Sequence, residues 1–386
     1  MPKQYNLLVK GNLYDGHVIR FIQALKKVNP QINIDVFGKK EDGKHLPLGI
    51  NDVVRNVYWA EYSLLFKNIP CVYLLEQAFK LKRSFHKLLN NERYDIINIH
   101  YPTASDRFLL KDIKKMSKKL VLTPWGSDVY RISERQRRIV KKLYDATDYV
   151  TGNGLRFTKD FMRIYNIPER KLRCLSLGGD DIDYFIEHRY DYNTEEAKHV
   201  LGIDKHYVIT CGYNGNPPQQ HEKIIEAINK IREKLPNNLM LLFPFTYGGS
   251  QEYREQIKRK VKELGFEACY FEKYLDLQGL FIMRQATDMF IHVQTTDANN
   301  GSLKHYVWFD KNVVHGGWIN YDDMEKDDYK PYHTTPSMDK LSETIVKAYQ
   351  EGPVFVKEET KQTIERYGYN YLAPKWNEMF EEIIEK

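Results

Sequence analysis

The sequence predicts an α/β protein with two doubly wound parallel-sheet domains that face a central cleft. The first observation is a strand, turn and helix over residues 5–28, where Phe21, Leu25 and Val28 have helical spacing. The second is the same plan over residues 207–234, with a glycine-containing turn. The third is the length of 386 residues, which suits two cores better than one.

The elements follow from apolar runs that alternate with amphipathic stretches, a pattern typical of parallel sheets. Strands are predicted in the first half near residues 5–9, 32–37, 94–100, 120–123, 148–151 and 172–177. Strands are predicted in the second half near residues 207–211, 238–243, 268–271, 288–293 and 312–315.

The stretch around His188 to Glu196 is polar and has little apolar periodicity, so we expect the linker there. A final amphipathic helix at about residues 370–385 follows the second sheet. The predicted division is therefore a first domain over 1–187, a second over 188–368, and a helix over 369–386 that packs back towards the first domain.

Composition favours a cytoplasmic protein. No run reaches the roughly 18–20 apolar residues that a membrane span needs, and no signal peptide is visible at the N-terminus. The four cysteines, Cys71, Cys174, Cys211 and Cys269, are scattered without metal-ligand spacing. We expect buried thiols in a reducing compartment and no metal site.

The net charge of +6 hides an asymmetry between the halves. Residues 1–190 contain 34 Lys and Arg against 21 Asp and Glu, and the remainder contains 24 against 31. Basic clusters lie at 80–83, 111–119 and 131–142. Each alone can be a solvated helix face, but three in one domain favour an anionic partner, such as a membrane surface or a phosphorylated acceptor. Nucleic acid is disfavoured, because no aromatic-interleaved basic motif is present.

Ligands of doubly wound domains bind at the carboxyl ends of strands, so residues just after strands are the candidates. In the first domain these include His100 and Asp128, which are the predicted catalytic residues. Structural roles are the alternative, since Asp128 is also a good helix N-cap. Gly11, Asn12 and His17 follow the first strand and are the predicted acceptor-binding residues.

The second domain supplies the predicted donor-binding residues. Glycines allow close approach of the backbone, and a helix N-terminus favours an anion, so a pyrophosphate is expected at the turn after residue 211. An aromatic follows the next strand, and a long polar turn follows the strand at 288–293. The predicted donor-binding residues are Gly212, Asn214, Gly215, His221, Tyr247, Gln294, Asp297, Ser302, Lys304 and His305.

Several segments together resemble glycosyltransferases of the GT-B architecture, in which two Rossmann-like domains face each other. Residues 121–129 (VLTPWGSDV) are similar to a Gly-Ser-Asp segment of family-four-like enzymes. Residues 175–185 (LSLGGDDIDYF) resemble their interdomain segment, with Asp180 where valine is usual. Three further segments, GYNGNPPQQHEKIIEAI, FPFTYGGSQEY and TTDANNGSL, resemble bacterial transferases of 4-acetamido-4,6-dideoxygalactose.

The chain departs from the family-four-like pattern at the donor site. Those enzymes carry a ribose-binding glutamate and a lysine that assists the phosphates. This chain has Lys304 and His305 at the first place and Gln219, Gln220 and His221 at the second. A cation in place of the carboxylate removes a hydroxyl acceptor and adds a phosphate partner. Gly215, His221, Lys304 and His305 are therefore the predicted partners of the leaving group.

The resemblance implies a metal-independent glycosyltransferase that needs no cofactor and uses a nucleotide-sugar donor. Its acceptor is expected to be a glycan or a lipid-linked saccharide of bacterial surface polysaccharide or glycoconjugate synthesis. The protein is expected in the cytoplasm, with its basic domain at the inner face of the membrane. Two alternatives stay open: a non-catalytic GT-B partner or glycan-binding subunit, and a nucleotide-sugar epimerase.

Overall fold

The structure is a computed structural model that describes residues 3–14, 16–40, 49–60, 70–89, 91–152, 154–297, 299–325 and 329–386, without the side chains of 70–74. The chain divides into two compact units. The first contains residues 1–180 and 366–386, and the second contains residues 181–365. The unit boundaries thus fall seven and three residues before the predicted domain boundaries at 187 and 368.

The described part of the first unit contains a seven-stranded sheet in the order β3-β2-β1-β4-β5-β6-β7. Every pairing in it is parallel, as in a doubly wound fold. The strands are β1 Asn6–Lys10, β2 Asn33–Lys39, β3 Asn56–Ala60, β4 Tyr94–His100, β5 Ser117–Thr123, β6 Tyr149–Gly152 and β7 Leu172–Cys174. The edge strand β3 was not predicted, because it is only partly buried.

Right-handed crossovers place the helices of the first unit on the two faces of the sheet. The chain reaches β2 and β3 in one direction along the sheet and β4 to β7 in the other, so the helices before β3 and those after it lie on opposite faces. One face carries α1 Gly16–Val28 and α2 Ile50–Val53. The other carries α3 Pro70–Leu89, α4 Leu110–Met116, α6 Glu134–Ala146 and α7 Leu155–Tyr165, while the short α5 Ser127–Tyr130 follows β5.

The last helix, α16 Tyr369–Glu385, returns to the first unit and packs on α1. Trp376 is its anchor: the side chain is fully buried, and its Nε1 donates to the carbonyl oxygen of Ser176 over 2.7 Å. The Trp376 ring meets that of Phe21 edge-on at 4.8 Å. The apolar positions that predict this helix are therefore the positions that attach it to the first sheet.

The described part of the second unit contains a six-stranded parallel sheet in the order β10-β9-β8-β11-β12-β13. Its strands are β8 Tyr207–Cys211, β9 Leu239–Phe243, β10 Glu267–Tyr270, β11 Met289–His292, β12 Asn312–Gly316 and β13 His333–Thr335. Only the three-residue edge strand β13 was not predicted. The helices are α8 Asp180–Glu187, α9 Thr194–Leu201, α10 His221–Asn229, α11 Gln251–Glu263, α12 Leu277–Gln285, α13 Gly301–Trp308, α14 Leu341–Glu351 and α15 Glu358–Glu365.

Two expectations are corrected. The predicted linker around His188 to Glu196 lies inside the second unit, which begins at residue 181. Residues 188–191 form turns and a bend between α8 and α9, and Asn193 caps α9 by accepting the N–H of Glu196. Buried thiols were expected, but Cys174 is exposed at the end of an edge strand; Cys211 is buried, and the side chain of Cys71 lies outside the described set. Within the ranges described above, no helix is both long and apolar enough to cross a bilayer.

Candidate functional site

In the first unit, the predicted residues gather around Trp125 at the carboxyl ends of β4 and β5. The Trp125 ring lies 5.8 Å from that of His17 and 6.3 Å from that of His100, edge-on in both cases. Gly11 lies against His100, since a Cβ on Gly11 would be 3.4 Å from the His100 Cβ. Trp125 was not predicted as a site residue, although it belongs to the Gly-Ser-Asp segment. Its buried Nε1 has no hydrogen-bond partner among the described residues.

Asp128 has the electrostatic environment of a general base. Its Oδ1 accepts the backbone N–H groups of Trp125 at 2.9 Å and Gly126 at 2.8 Å. Its Oδ2 is buried and has no hydrogen-bond partner within the described ranges. Burial raises the pKa of Asp128 to about 6, and the two N–H contacts oppose part of that rise. A carboxyl group whose pKa lies near neutral pH suits proton transfer at physiological pH.

His100 is less suited to that role. Its Nε2 lies 2.8 Å from Asn98 Oδ1, and burial lowers the pKa of His100 to about 3. The ring is therefore neutral and weakly basic at pH 7, which leaves Asp128 as the better base. Asn12 is exposed, and its Oδ1 accepts the N–H of Tyr14 in a local turn.

In the second unit, the turn after β8 does not present a row of open N–H groups. The N–H of Gly212 donates to the Ile291 carbonyl at 3.0 Å, and that of Gly215 donates to the Tyr247 carbonyl at 2.9 Å. The Asn214 side chain accepts the N–H of Asn216. The N–H groups of Gly212 and Gly215 are therefore used within the protein, and a pyrophosphate at this turn stays a prediction that needs other donors.

Close packing between two loops explains the glycines instead. A Cβ on Gly215 would lie 2.8 Å from the Gly248 carbonyl oxygen, and one on Gly249 would lie 2.0 Å from the Gly215 oxygen. Such separations exclude a side chain at either position. Tyr247 belongs to the same loop, and its side chain is exposed, as a stacking partner for a base or sugar requires.

His221 was predicted as a cationic partner of the leaving group, and this charge state is corrected. The side chain is fully buried, with Nδ1 3.0 Å from Tyr253 Oη. Burial lowers the pKa of His221 to about 3, so the ring is neutral at pH 7. Its Nε2 points towards the turn, 3.2 Å from the place of a Cβ on Gly212.

Gln294 offers the clearest open donor of the second unit. Its Oε1 accepts from Gln219 Nε2 at 2.9 Å and from Tyr213 Oη at 3.1 Å. Its Nε2 is buried and lacks a hydrogen-bond partner among the described residues. A buried amide with an unused N–H costs free energy unless an acceptor binds it. Gln294 is therefore the predicted donor-binding residue that the structure supports most directly.

The polar turn beyond Gln294 leads into α13, whose N-terminus favours a bound anion. Asn300 caps this helix by accepting the N–H of Leu303 at 2.7 Å. Asp297 Oδ2 accepts from Asn300 Nδ2 at 2.8 Å and from Tyr321 Oη at 2.9 Å. The Asp297 carboxylate thus organises the turn.

Lys304 and His305 point into the second unit and are both buried. Lys304 Nζ lies 3.3 Å from Asp323 Oδ2, and His305 Nε2 lies 3.3 Å from Asp181 Oδ2. Burial lowers the pKa of Lys304, although Asp323 opposes that change. Lys304 and His305, two of the four predicted leaving-group partners, therefore each have a carboxylate beside them.

Sequence inspection missed Arg284, a buried cation beside α13. Its Nη2 donates to Ser302 Oγ and its Nη1 donates to Tyr306 Oη, both over 2.7 Å. Within the described ranges it has no ion pair with a carboxylate, and its Nε has no hydrogen-bond partner. Arg284 lies in a helix and not after a strand, so the search of strand ends could not find it. No group of three potential metal ligands occurs among the described residues.

The comparisons with known proteins agree on the architecture. Residues 7–153 match the family model described as "Glycosyl transferase 4-like". Among curated protein sequences, none matches this chain. Sucrose-phosphate synthase from Thermosynechococcus elongatus is a similar solved structure, with a TM-score of 0.76, 14% identity, and 99% of each chain covered.

Two further solved structures are similar over their whole length. A glycosyltransferase from Rickettsia africae has a TM-score of 0.70 and 14% identity, with 99% of each chain covered. Anabaena HepE in complex with UDP and glucose has a TM-score of 0.69 and 14% identity, covering 98% of this chain and 100% of that one. The two parallel sheets therefore have the fold of GT-B glycosyltransferases, and the family match lies in the first unit.

Proposed function

We propose that this protein is a glycosyltransferase that uses a UDP-sugar as its donor. The observation that carries the proposal is the set of polar groups at the carboxyl end of the second sheet, above all Gln294 Nε2, which is buried without a hydrogen-bond partner among the described residues. The similarity to HepE, whose structures contain UDP and UDP-glucose, supports uridine as the nucleoside of the donor. The sugar, which the sequence resemblance suggests to be a deoxyaminosugar or a hexose, is part of the proposal.

The departing nucleoside diphosphate develops negative charge, which positive groups must stabilise. In the second unit we assign this role to the N-terminus of α13 and to Arg284, whose guanidinium contacts Ser302 on the first turn of that helix. His221 contributes as a neutral hydrogen-bonding group, since burial lowers its pKa to about 3. We propose a mechanism without a metal ion, because the Asp-x-Asp sequence at 181–183 lies within α8 and its Asp181 is next to His305.

The first unit would supply the acceptor site and the base. Asp128, with its pKa raised by burial, accepts the proton of the attacking hydroxyl. Trp125 offers an unused indole N–H and an aromatic face, both of which suit a sugar. A glycan or lipid-linked saccharide of bacterial surface polysaccharide synthesis is the proposed acceptor.

Thermal unfolding with a panel of nucleoside diphosphates tests the donor site. We expect UDP to stabilise the protein, by about 2.7 kcal/mol at a hundredfold its dissociation constant. Gln294→Ala should weaken UDP binding about tenfold, because one buried hydrogen bond to a charged ligand is lost. Gln256→Ala is the matched control, since Gln256 bonds Glu222 on an exposed helix face. If no nucleoside diphosphate stabilises the folded protein, the proposal is wrong.

A non-catalytic GT-B partner is the second candidate. The internal ion pairs of Lys304 with Asp323 and of His305 with Asp181 favour it, because these side chains are engaged within the protein. Release of UDP from UDP-glucose in the presence of acceptor extracts separates the two candidates. Binding of UDP without any turnover would favour the non-catalytic protein.

We further propose that the first unit docks on an anionic membrane, which would bring it to a lipid-linked acceptor. The right-handed crossovers place α3, α4 and α6 on the same face of the sheet, and α3 meets α4 where His86 Nδ1 lies 3.1 Å from Asp112 Oδ1. The three basic clusters of the sequence therefore share one face. Its exposed basic residues are Lys82, Arg83, Lys87, Lys111, Lys114, Lys115, Arg135, Arg138 and Lys142, which we call the basic face.

Two large apolar side chains accompany the basic face. Leu75 and Phe79, one turn apart on α3, are each 66% exposed. Exposed apolar residues next to Lys and Arg are typical of helices that lie in the interface of an anionic bilayer. The positive charge of the basic face complements an anionic membrane. A second copy of the chain is a less favourable partner, because two basic faces would repel each other.

Vesicle sedimentation tests the membrane proposal. We expect binding to vesicles that contain phosphatidylglycerol and little binding to pure phosphatidylcholine. Replacing Lys82, Arg83 and Lys87 with glutamine should reduce binding more than tenfold at low salt, since each cation contributes about 1 kcal/mol. The matched control replaces the exposed Lys230, Lys234 and Lys262 of the second unit. Equal losses in both variants, or dimerisation through Leu75 and Phe79 in place of vesicle binding, would overturn the proposal.

A further inference from the structure

Two buried histidines lie side by side at the carboxyl end of the second sheet. His292 ends β11, and His315 is its register partner on the parallel strand β12. Their rings stack at 5.2 Å with an interplanar angle of 15°, and the two Nδ1 atoms are 3.0 Å apart. Both side chains are almost fully buried. The proposed function gave this pair no role.

The hydrogen bonds of His315 fix one proton. His315 Nε2 lies 2.7 Å from the carbonyl oxygen of Ile319, which can only accept, so Nε2 carries a proton. The two facing Nδ1 atoms need one proton between them, since two would clash and none would leave two lone pairs in contact. Burial lowers the pKa of His315 to about 3, which places that middle proton on His292.

The contact between His292 and Asp297 concerns a third proton. His292 Nε2 is buried without a hydrogen-bond partner among the described residues, and Asp297 Oδ2, which accepts from Tyr321 and Asn300, lies 3.4 Å away, within ion-pair distance. Burial alone would raise the pKa of Asp297, but its contacts with His292, Asn300 and Tyr321 together lower it. Asp297 is therefore a carboxylate, and a lone pair on His292 Nε2 would face negative charge. A proton on Nε2 removes that conflict.

We propose that His292 and His315 share three ring protons and hence one positive charge, which the Asp297 carboxylate neutralises. We propose also that these three side chains, in contact one after another, hold the loop after β11 in place. The count does not depend on which ring holds the middle proton. The inference rests on the proposed function in one respect, the assignment of the loop after β11 to the donor site. We assign His292 and His315 as positioning residues, because both side chains are almost fully buried and act on the loop through Asp297 and Tyr213.

The neighbouring groups support this charge. The Tyr213 ring stacks on His292 at 5.9 Å, and the Tyr332 ring lies 4.6 Å from that of His315. Two charged groups from other elements face His315, His292 and Asp297. They are Lys304, which pairs with Asp323, and Lys330, which pairs with Glu325 at 3.4 Å. Each of these lysines has a nearer carboxylate partner, although Asp297 also acts on Lys304, and we assign Asp297 as the counterion of the histidine pair.

The pair reaches Gln294 through Tyr213. The ring of Tyr213 lies on His292, and its hydroxyl donates to Gln294 Oε1 at 3.1 Å. Asp297, three residues after Gln294, is fixed by the charged histidine pair. Loss of the positive charge on the histidine pair would weaken the contacts that hold the turn on both sides of Gln294. The Gln294 side chain, including its Nε2, would then no longer have a fixed position.

Nitrogen-15 spectra of the histidine rings test the proton count in the protein without ligand. At pH 7 we expect three protonated nitrogens on His292 and His315 together, assigned with His292→Gln and His315→Gln. Asp297→Asn should reduce the count to two, because the asparagine amide can donate to Nε2. His206→Gln is the control, since His206 forms an exposed pair with Glu267 in the same unit. Two protons in the wild-type pair would overturn the inference.

UDP titration tests the positioning role separately. Asp297→Asn should weaken UDP binding about tenfold, and wild-type affinity should fall with rising pH where the third proton disappears from the spectra. A UDP affinity that stays constant over the pH range in which the third proton is lost would overturn the positioning role. Should the wild-type protein fail to bind UDP, the proposed function fails, while the proton count still decides the charge of the pair. If the glutamine variants do not fold, the change on Asp297→Asn assigns the same signals.

Discussion

Replacing Asp128 with asparagine is expected to abolish transfer while making the protein more stable above pH 6. Removal of a general base typically lowers the rate by about 10²–10⁴-fold. The asparagine Oδ1 can still accept the N–H groups of Trp125 and Gly126, so the local backbone is preserved. A loss of activity in a variant that folds normally would therefore report on chemistry.

The stability change has a definite sign. The folded-state pKa of Asp128 is raised from 3.8 to about 6, so folding favours the protonated form. The stability that this group contributes is complete below pH 4 and is lost as the pH rises through 6. At pH 8 the ionised, buried carboxylate costs roughly 3 kcal/mol, which a neutral asparagine avoids. Urea unfolding at pH 4 and pH 8 measures this difference.

Asp106→Asn is the matched control for Asp128→Asn. Asp106 is also buried in the first unit, but its carboxylate pairs with Lys10 Nζ at 2.8 Å. Its loss leaves a mostly buried lysine without a counterion and should destabilise the protein. Asp128→Asn and Asp106→Asn are therefore expected to shift stability in opposite directions at pH 8. Full activity in the Asp128 variant would remove this residue from the mechanism.

The strand pattern was predictable because central strands of parallel sheets are buried on both faces and read as apolar runs. The run at 207–211 coincides with β8, and that at 94–100 coincides with β4. The missed strands β3 and β13 lie at sheet edges, where burial is partial and the sequence pattern is weak. The bounds of the two units depend on long-range packing, which no local pattern reports.

The sequence predicts the positions of the candidate site residues in the fold better than it predicts their chemical roles. The ends of predicted strands pointed to Asp128 and Gln294, since topology alone brings these residues to the carboxyl edges of the sheets. The N–H of Gly215 is consumed by a loop that begins about thirty residues later, and the charge of His221 depends on burial. The pairing of His292 with His315 arises only when β11 and β12 become neighbours.

Truncation of Trp376 is expected to destabilise the first unit by about 3–5 kcal/mol, the usual cost of removing a buried tryptophan side chain. In Trp376→Ala, the contact with Phe21 and the hydrogen bond to the Ser176 carbonyl are both lost. The remaining cavity lies between α16 and the helix that follows β1. No group at the proposed donor site is changed.

Hydrogen exchange resolves where the destabilisation occurs. Because α16 belongs to the first unit, amides of β1, β4 and β5 should lose protection in Trp376→Ala, while those of β8 and β11 should keep it. Tyr371→Ala is the matched control on the same helix, since Tyr371 is 45% exposed and its loss should change stability by less than about 0.5 kcal/mol. Trp376→Phe should lie between them, because it keeps most of the packing and loses the hydrogen bond. Equal loss of protection in both units would mean that the chain unfolds as a single cooperative body, with α16 stabilising all of it.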